Sequence, residues 1–426
     1  MGGNAFTQSK DGRPALKVPR LSHEAYYELR DHYCSLISEF FEDIACPAEA
    51  PGKLDHGDVD FVVQNPKPDF SAEKLMNHLG AIRRESNGPT SSYAVPLHGG
   101  NEEYAQVDVH ICKPGYMQWE LLMGSYGDLW QIIGVLLRPL GLTANDQGLH
   151  VRLAEIEPHN RKASMVLLTV DRTETFTFLG LDSQVYDVGF QSEEAIFDWA
   201  SRGYYFQRDI EDRRTSNDRQ RINKRAMFAR FVNEWAPAHP EAWQREDTYS
   251  REDLLKKAIR YFNKEKVYED LISEWQLMER DEALWSEIKE ELRAYGLDGE
   301  RLGLAIRALK RWIHWQSKCF SYSVGNAPRP GVTVPEIWVP AHGDALATQE
   351  AGKLAGSAAS DVPAIRTEAN MEPYGKDLWI CHLLCDANRE ALKVWIRQNW
   401  AEIVSMEKAR VKAEKDKRLE TRRRVG

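Results

Sequence analysis

No stretch of this chain approaches the ~20 consecutive apolar residues needed to cross a bilayer. The opening MGGNAFTQSK lacks the apolar core of a signal peptide. Phe6 also stands where a myristoylation signal wants Ser or Thr. These absences predict a cytoplasmic or nuclear protein that does not meet a membrane. No two cysteines form a CxxC pair: Cys34, Cys46, Cys112, Cys319, Cys381 and Cys385 are scattered. Cys381 and Cys385 stand at helical i, i+4 spacing around His382, but no second ligand pair accompanies them. Six buried thiols in a reducing compartment are the reading that follows. Excess positive charge is missing as well, since 56 Lys and Arg face 65 Asp and Glu, a net charge of −9. That excludes a chain-wide basic grip on extended duplex DNA and leaves only local patches. No internal repeat is visible.

What is present suffices for two or three domains, with 426 residues of which 42% are hydrophobic. Residues 1–20 are read as a disordered lead-in. From Leu21 to about Ile44 the spacing of Tyr26, Leu29, Tyr33, Leu36, Ile37 and Phe40 predicts a helix, with Ser22 as its N-cap. A Pro/Gly-rich connection leads to a strand over Gly57–Gln64, then to a turn at Asn65-Pro66. Phe70–Arg84 reads as helix, and Ser91–Leu97 with Glu103–Lys113 as a hairpin. Tyr116 to about Leu137 reads as helix broken near Gly124, and Leu149–Leu153 and Thr175–Leu179 as short strands. Residues 21–209 therefore form an α+β unit. Residues 210–322 form a Trp-rich, highly charged helical domain, and residues 323–372 a Pro/Gly/Ala-rich linker or irregular excursion. Residues 373–426 carry a last helix from about Asp377, whose basic end frays into solvent.

Three carboxylates stand out. Asp58 and Asp60 flank Val59, and the period-two alternation of a strand puts both on one face. Asp108 lies in AQVDVHIC, another apolar strand, and a sheet can bring it beside the first two. Three acids held together repel one another. A Mg²⁺ (or Mn²⁺) ion, which takes oxygen ligands and keeps sites for water or phosphate, relieves that repulsion. A pair of such ions suits the activation of a hydroxyl and the departure of pyrophosphate.

The surroundings of these acids resemble family X DNA polymerases, the polymerase beta and terminal transferase group. HGDVDFVVQNPKP is similar to that family's first catalytic strand, and QVDVHICKPGYMQWELLMGSYGDLW to its second strand, helix and GS turn. GLTANDQGLH resembles its GFxhNxxxLx segment, and FQSEEAIFDWA the SExxIFxxh segment of its thumb. The four matches follow the family's order and cover roughly residues 46–209. The resemblance implies a nucleotidyltransferase palm, a mixed sheet with flanking helices, followed here by the large helical domain. It implies that Asp58 and Asp60 bind two metal ions and that Asp108 serves the one activating the nucleophile. It also implies nucleotide contacts from Gly57, Gly124, Ser125 and Asn145.

The departures shape the expected activity. Where the family has a GSxxRG triphosphate loop, this chain reads Pro47-Ala48-Glu49-Ala50-Pro51-Gly52. Loss of a charge-assisted phosphate contact weakens nucleotide binding by ~1.5–3 kcal/mol, with Lys53 as the nearby cation to compensate. Gln106 replaces a residue that is often basic in the family. No room precedes the palm for the family's lyase domain and hairpin-helix-hairpin. The expectation is a template-independent transferase. It transfers a nucleoside monophosphate from a nucleoside triphosphate to an acceptor hydroxyl, on a short nucleic acid, an RNA end, a protein or a small molecule, and releases pyrophosphate. The alternative is a catalytically impaired palm serving as a binding or scaffold protein. A poly(A)- or tRNA-end-adding lineage shares the carboxylates, but the SEEAIFDW segment argues against it.

After the thumb-like segment comes a basic cluster, Arg213, Arg214, Arg219, Arg221, Lys224, Arg225 and Arg230. It reads either as a phosphate or acceptor face, centred on Arg221, Lys224 and Arg225 with Tyr204, Tyr205 and Phe206 for stacking, or as a solvated helix face over core aromatics. Trp312, His314 and Trp315 read as packing. Lys408–Arg424 reads as a solvated helix end, or as a nucleic-acid contact or nuclear address.

Overall fold

A computed structural model of the chain describes residues 3–9, 12–97, 102–205, 220, 222–243, 249–312, 314–316, 319–324, 327–333 and 386–425. Mixed α and β elements divide into two compact units, Met1–Tyr268 and Glu269–Gly426. The division expected after residue 209 falls instead inside the first unit. The reason is the helix Arg251–Tyr261, whose Arg251 donates to the Arg152 carbonyl at 3.0 Å and pairs with Glu157. Arg152 is itself buried and donates to Glu157 at 2.6 Å, so one carboxylate joins both cations.

The first unit opens with β1 (Leu21–Ser22) and α1 (His23–Ser38), capped by the Ser22 hydroxyl accepting from Ala25 N. The predicted helix ends six residues early. Phe41–Ala45 is strand β2, because its backbone pairs antiparallel with β4 (Val59–Pro66). Asn65 and Pro66, expected as a turn, belong to β4. Asn65 takes a positive φ of 54° there and donates its side-chain amide to Asp43 at 2.8 Å. β3 (Asp55–His56) pairs with β1. Next come α2 (Ala72–His78), β5 (Arg83–Asn87), β6 (Thr90–Pro96) and β7 (Tyr104–Ile111). The helix expected over Phe70–Arg84 is thus cut short, since Arg83 and Arg84 already pair with β6.

One five-stranded mixed sheet runs β2-β4-β7-β6-β5, with β4 and β7 parallel and all other neighbours antiparallel. Its period-two alternation separates two faces. Val59, Phe61 and Val63 of β4 and Ala105, Val107 and Val109 of β7 enter one core with Tyr26, Tyr33 and Ile37 of α1 and Leu75 and Leu79 next to them on the α2 side. Residues 58, 60, 106, 108 and 110 fall on the opposite face.

α3 (Met117–Gly124) and α4 (Leu129–Leu137) follow, with the predicted break at Gly124. A second antiparallel sheet has the order β10-β9-β8, from β8 (Leu142–Asn145), β9 (Gly148–Arg152) and β10 (Met165–Thr169). Residues 175–179, predicted as strand, lie in the helix α5 (Arg172–Leu179). Asp171 caps its start by accepting from Glu174 N, and Gly180 ends it at φ 70°. These end signals outweigh the strand preference of Thr and Phe. α6 (Ser183–Val188) and α7 (Glu193–Ser201) complete this part, α7 being capped by Ser192.

The second unit holds most of the helix Glu265–Ala294, the helix Gly299–Trp312 and the helix Asp386–Val425. Leu284, Ile288, Leu292, Leu309, Ile396 and Ile403 meet in its core. It is not purely helical: His314–Gln316, Cys319–Val324 and Ala327–Thr333 form an antiparallel sheet, partly inside the expected linker. The basic tail, expected to fray, continues the last helix to Val425. No helix among the described residues is long and apolar enough to cross a membrane.

Candidate metal centre

β4 and β7 bring the three acids together. The parallel ladder pairs Asp60 with Asp108, and Asp58 immediately precedes β4. Each acid offers a carboxylate oxygen, and these oxygens all lie within 4.8 Å of one another. The apolar residues between them are locked into the core, so no rotation of either strand can relieve the crowding.

The electrostatic consequence appears in two groups. Asp60 is open to solvent yet surrounded by protein mass. That mass, then repulsion from Asp58 and from Asp108, pushes its carboxyl up to about 7. Asp108 is pushed up to about 6, chiefly by burial and then by Asp58. Hydrogen bonds from Ser92 and Gln106 oppose that rise. Ser92 faces Asp108 across the β6–β7 ladder, and Gln106 lies two residues back on the same face of β7. The Gln106 amide donates to both Asp108 oxygens, at 2.9 and 3.0 Å. Sequence reasoning noticed Gln106 only as a missing cation; its register with Asp108 was the available signal.

Beside Asp60 lies a second cluster. Lys53 Nζ is 2.5 Å from Glu49 Oε2, so the expected compensating cation is held by the acid of its own loop. Glu49 also hydrogen-bonds the Tyr26 hydroxyl, and this contact, after burial, raises the phenol's pKa. His56 is fully buried and stacked on Tyr26, with centroids 3.9 Å apart. Among the described residues neither of its ring nitrogens has a hydrogen-bond partner, Nδ1 lying 3.7 Å from Glu49 Oε1, and burial lowers its pKa.

The residues assigned to the nucleotide all lie in the first unit. Ser125 is buried; its hydroxyl accepts from Ala48 N at 3.0 Å and donates to Leu121 O at 2.7 Å. Tyr126 N donates to Ala48 O at 2.6 Å, and a Cβ on Gly124 would meet the Pro47 ring at 3.2 Å. The Gly124–Ser125 turn and the Pro47–Ala50 loop are therefore joined to each other. Gly57 is buried beneath the chain's first residues. Asn145 sits at the β8–β9 turn, where its side chain accepts from Gln147 N at 2.8 Å and its carbonyl from the Trp119 indole at 2.8 Å.

Of the basic cluster, Arg213, Arg214, Arg219 and Arg221 lie outside the described residues, as do Phe206, Cys381, His382 and Cys385. Lys224 is exposed. Arg225 pairs with Asp128 at 2.6 Å and Arg230 pairs with Glu193, so neither guanidinium stands free for phosphate. Tyr205 is 1% exposed and belongs to the core, whereas Tyr204 reaches solvent. Sequence reasoning missed Ser92 and also Gly3, whose N–H donates to Asp58 Oδ2 at 2.9 Å.

No family model matches the chain, and no curated protein matches it.

Proposed function

We propose that the chain is a metal-dependent nucleotidyltransferase whose palm is the five-stranded sheet, of the polymerase beta kind. One observation carries this reading: three carboxylates from two parallel strands converge with oxygens within 4.8 Å. An all-oxygen, anionic donor set suits Mg²⁺ or Mn²⁺, and it suits neither zinc nor copper. A divalent ion there would lower the pKa of an acceptor hydroxyl and neutralise charge developing on pyrophosphate. Asp58, Asp60 and Asp108 would hold it, with Ser92 and Gln106 orienting Asp108. The proposed substrates are a nucleoside triphosphate and an acceptor hydroxyl.

A second reading, a palm retained for binding alone, draws on the loop. Residues 47–52 offer no hydroxyl or guanidinium for phosphate, and Lys53 is tied to Glu49. Titration calorimetry with each nucleoside triphosphate, with and without Mg²⁺, separates the two. Micromolar, Mg²⁺-dependent binding that disappears in Asp58→Ala/Asp60→Ala is expected for the transferase. Failure of every triphosphate to bind would give the second reading the lead.

A further inference from the structure

Residues 3–9 and 12–20, expected as part of a disordered lead-in, are anchored to the first unit. Phe6 is 1% exposed, and its carbonyl accepts from Leu16 N at 2.8 Å. Further along, the Lys17 carbonyl accepts from Tyr104 N at 2.9 Å, which fixes the segment beside the start of β7. Two main-chain donors of this segment reach the site, one to a carboxylate and one to the Gln106 amide. Gly3 N–H donates to Asp58 Oδ2 at 2.9 Å. Ala5 N–H donates to Gln106 Oε1 at 2.9 Å, and the other end of that amide holds both oxygens of Asp108. Because Ala5 claims the Gln106 oxygen, the NH₂ group must face Asp108, which fixes the amide's orientation.

Gly3 is suited to this place by more than its small size. It adopts φ +83°, and a Cβ on it would lie 2.2 Å from the Gly57 carbonyl oxygen. Any other residue would be strained and would also push the chain off Asp58.

We propose that Gly3–Phe6 is a positioning arm of the metal centre, holding Asp58 directly and Asp108 through Gln106. The inference rests on the nucleotidyltransferase reading. A hydrogen bond to one oxygen of a carboxylate sets the plane of the group and aims the remaining oxygen. Such partners behind the ligands change metal affinity by ~10–100-fold when lost. Gly3 and Gln106 act through the aspartates and contact no substrate. A strap that must leave before an ion can bind would use the same contact with opposite effect, and metal affinity distinguishes the two.

The test is a Mn²⁺ titration of the full chain by electron paramagnetic resonance, for the unaltered protein, Gly3→Ala, Gln106→Leu and Asp58→Ala. The arm predicts Asp58-dependent binding in the unaltered chain. It predicts ~10–100-fold weaker binding in Gly3→Ala and in Gln106→Leu, with an altered line shape for the bound ion. Gln106→Leu carries the test if Gly3→Ala fails to fold, because it cuts the link without disturbing the Gly3–Gly57 contact. Unchanged affinity in the variants, with binding by the unaltered chain, overturns the arm alone. Tighter binding in Gly3→Ala overturns it in favour of a strap. Absence of Asp58-dependent binding in the unaltered chain overturns the metal centre and the arm together.

Discussion

Replacing Asp108 with Asn should stabilise the metal-free protein at neutral pH, and Mg²⁺ should erase nearly all of that advantage. Asp108 is raised to about 6 from an ordinary 3.8. Two pH units correspond to about 3 kcal/mol at ~1.4 kcal/mol per unit. Asp60 is raised further, to about 7, but it is open to solvent and shares the same repulsion, so its contribution is screened and not added. Both folded-state values lie above the unfolded ones. The folded protein therefore binds more protons, and the associated stability is fully present below about pH 4 and lost as pH rises through 6 and 7. Asn mimics the protonated carboxyl and does not titrate. In EDTA the two proteins should melt together near pH 4. By pH 7.5 the variant should be more stable by about 3 kcal/mol, or ~6–12 °C for a unit of this size. Mg²⁺ at ~100 times its dissociation constant should return about 2.7 kcal/mol to the unaltered chain and little to the variant. Thermal melts across pH 4–7.5, with EDTA or Mg²⁺, measure this. A difference that stays flat with pH, or an unaltered chain that remains the more stable in EDTA at pH 7.5, would refute the electrostatic argument.

Two further outcomes follow from side chains near the site. Arg225→Ala leaves Asp128, 9% exposed, with the Phe228 N–H as its remaining side-chain partner among the described residues, so stability should fall by ~1–3 kcal/mol in denaturant titration. Nucleotide affinity should stay within about twofold, whereas a phosphate-binding Arg225 would show ~10-fold loss or more. His56→Phe keeps the stack on Tyr26 and removes two buried nitrogens without hydrogen bonds, at the cost only of a 3.7 Å approach to Glu49, so it should raise stability by ~1 kcal/mol. A loss of similar size would mean that the imidazole has a polar role.

The centre of the first unit was legible because strand alternation is strict. Val59, Phe61, Val107 and Val109 declare an apolar face, so Asp58, Asp60 and Asp108 must share the other. The break at Gly124 and the β6–β7 hairpin were legible for similar local reasons. Residues 175–179 misled because Thr and Phe favour strands, although Asp171 and Gly180 mark the ends of a helix. Phe41–Ala45 continued an apolar pattern that suited a helix, and only its partner β4 makes it a strand. The positioning arm left no trace in the residue pattern. Its contacts with the site are main-chain N–H groups, which every residue but proline carries. The ion pairs of Lys53, Arg225 and Arg230 were equally hidden, since a basic residue looks the same in sequence whether it is paired or free.

The parallel ladder between β4 and β7 works as a ruler. Asp60 and Asp108 stand opposite each other only because Val59 meets Val107 and Phe61 meets Val109. A slip of one residue would turn one strand's acids into the apolar core and its valines onto the carboxylate face. Insertions between β6 and β7 lengthen a loop and leave this measure intact. A single residue inserted between Val107 and Val109 would carry the third carboxylate to the wrong side of the sheet. Over the history of such a protein, loop lengths are free to drift, while the spacing within these two short strands is not.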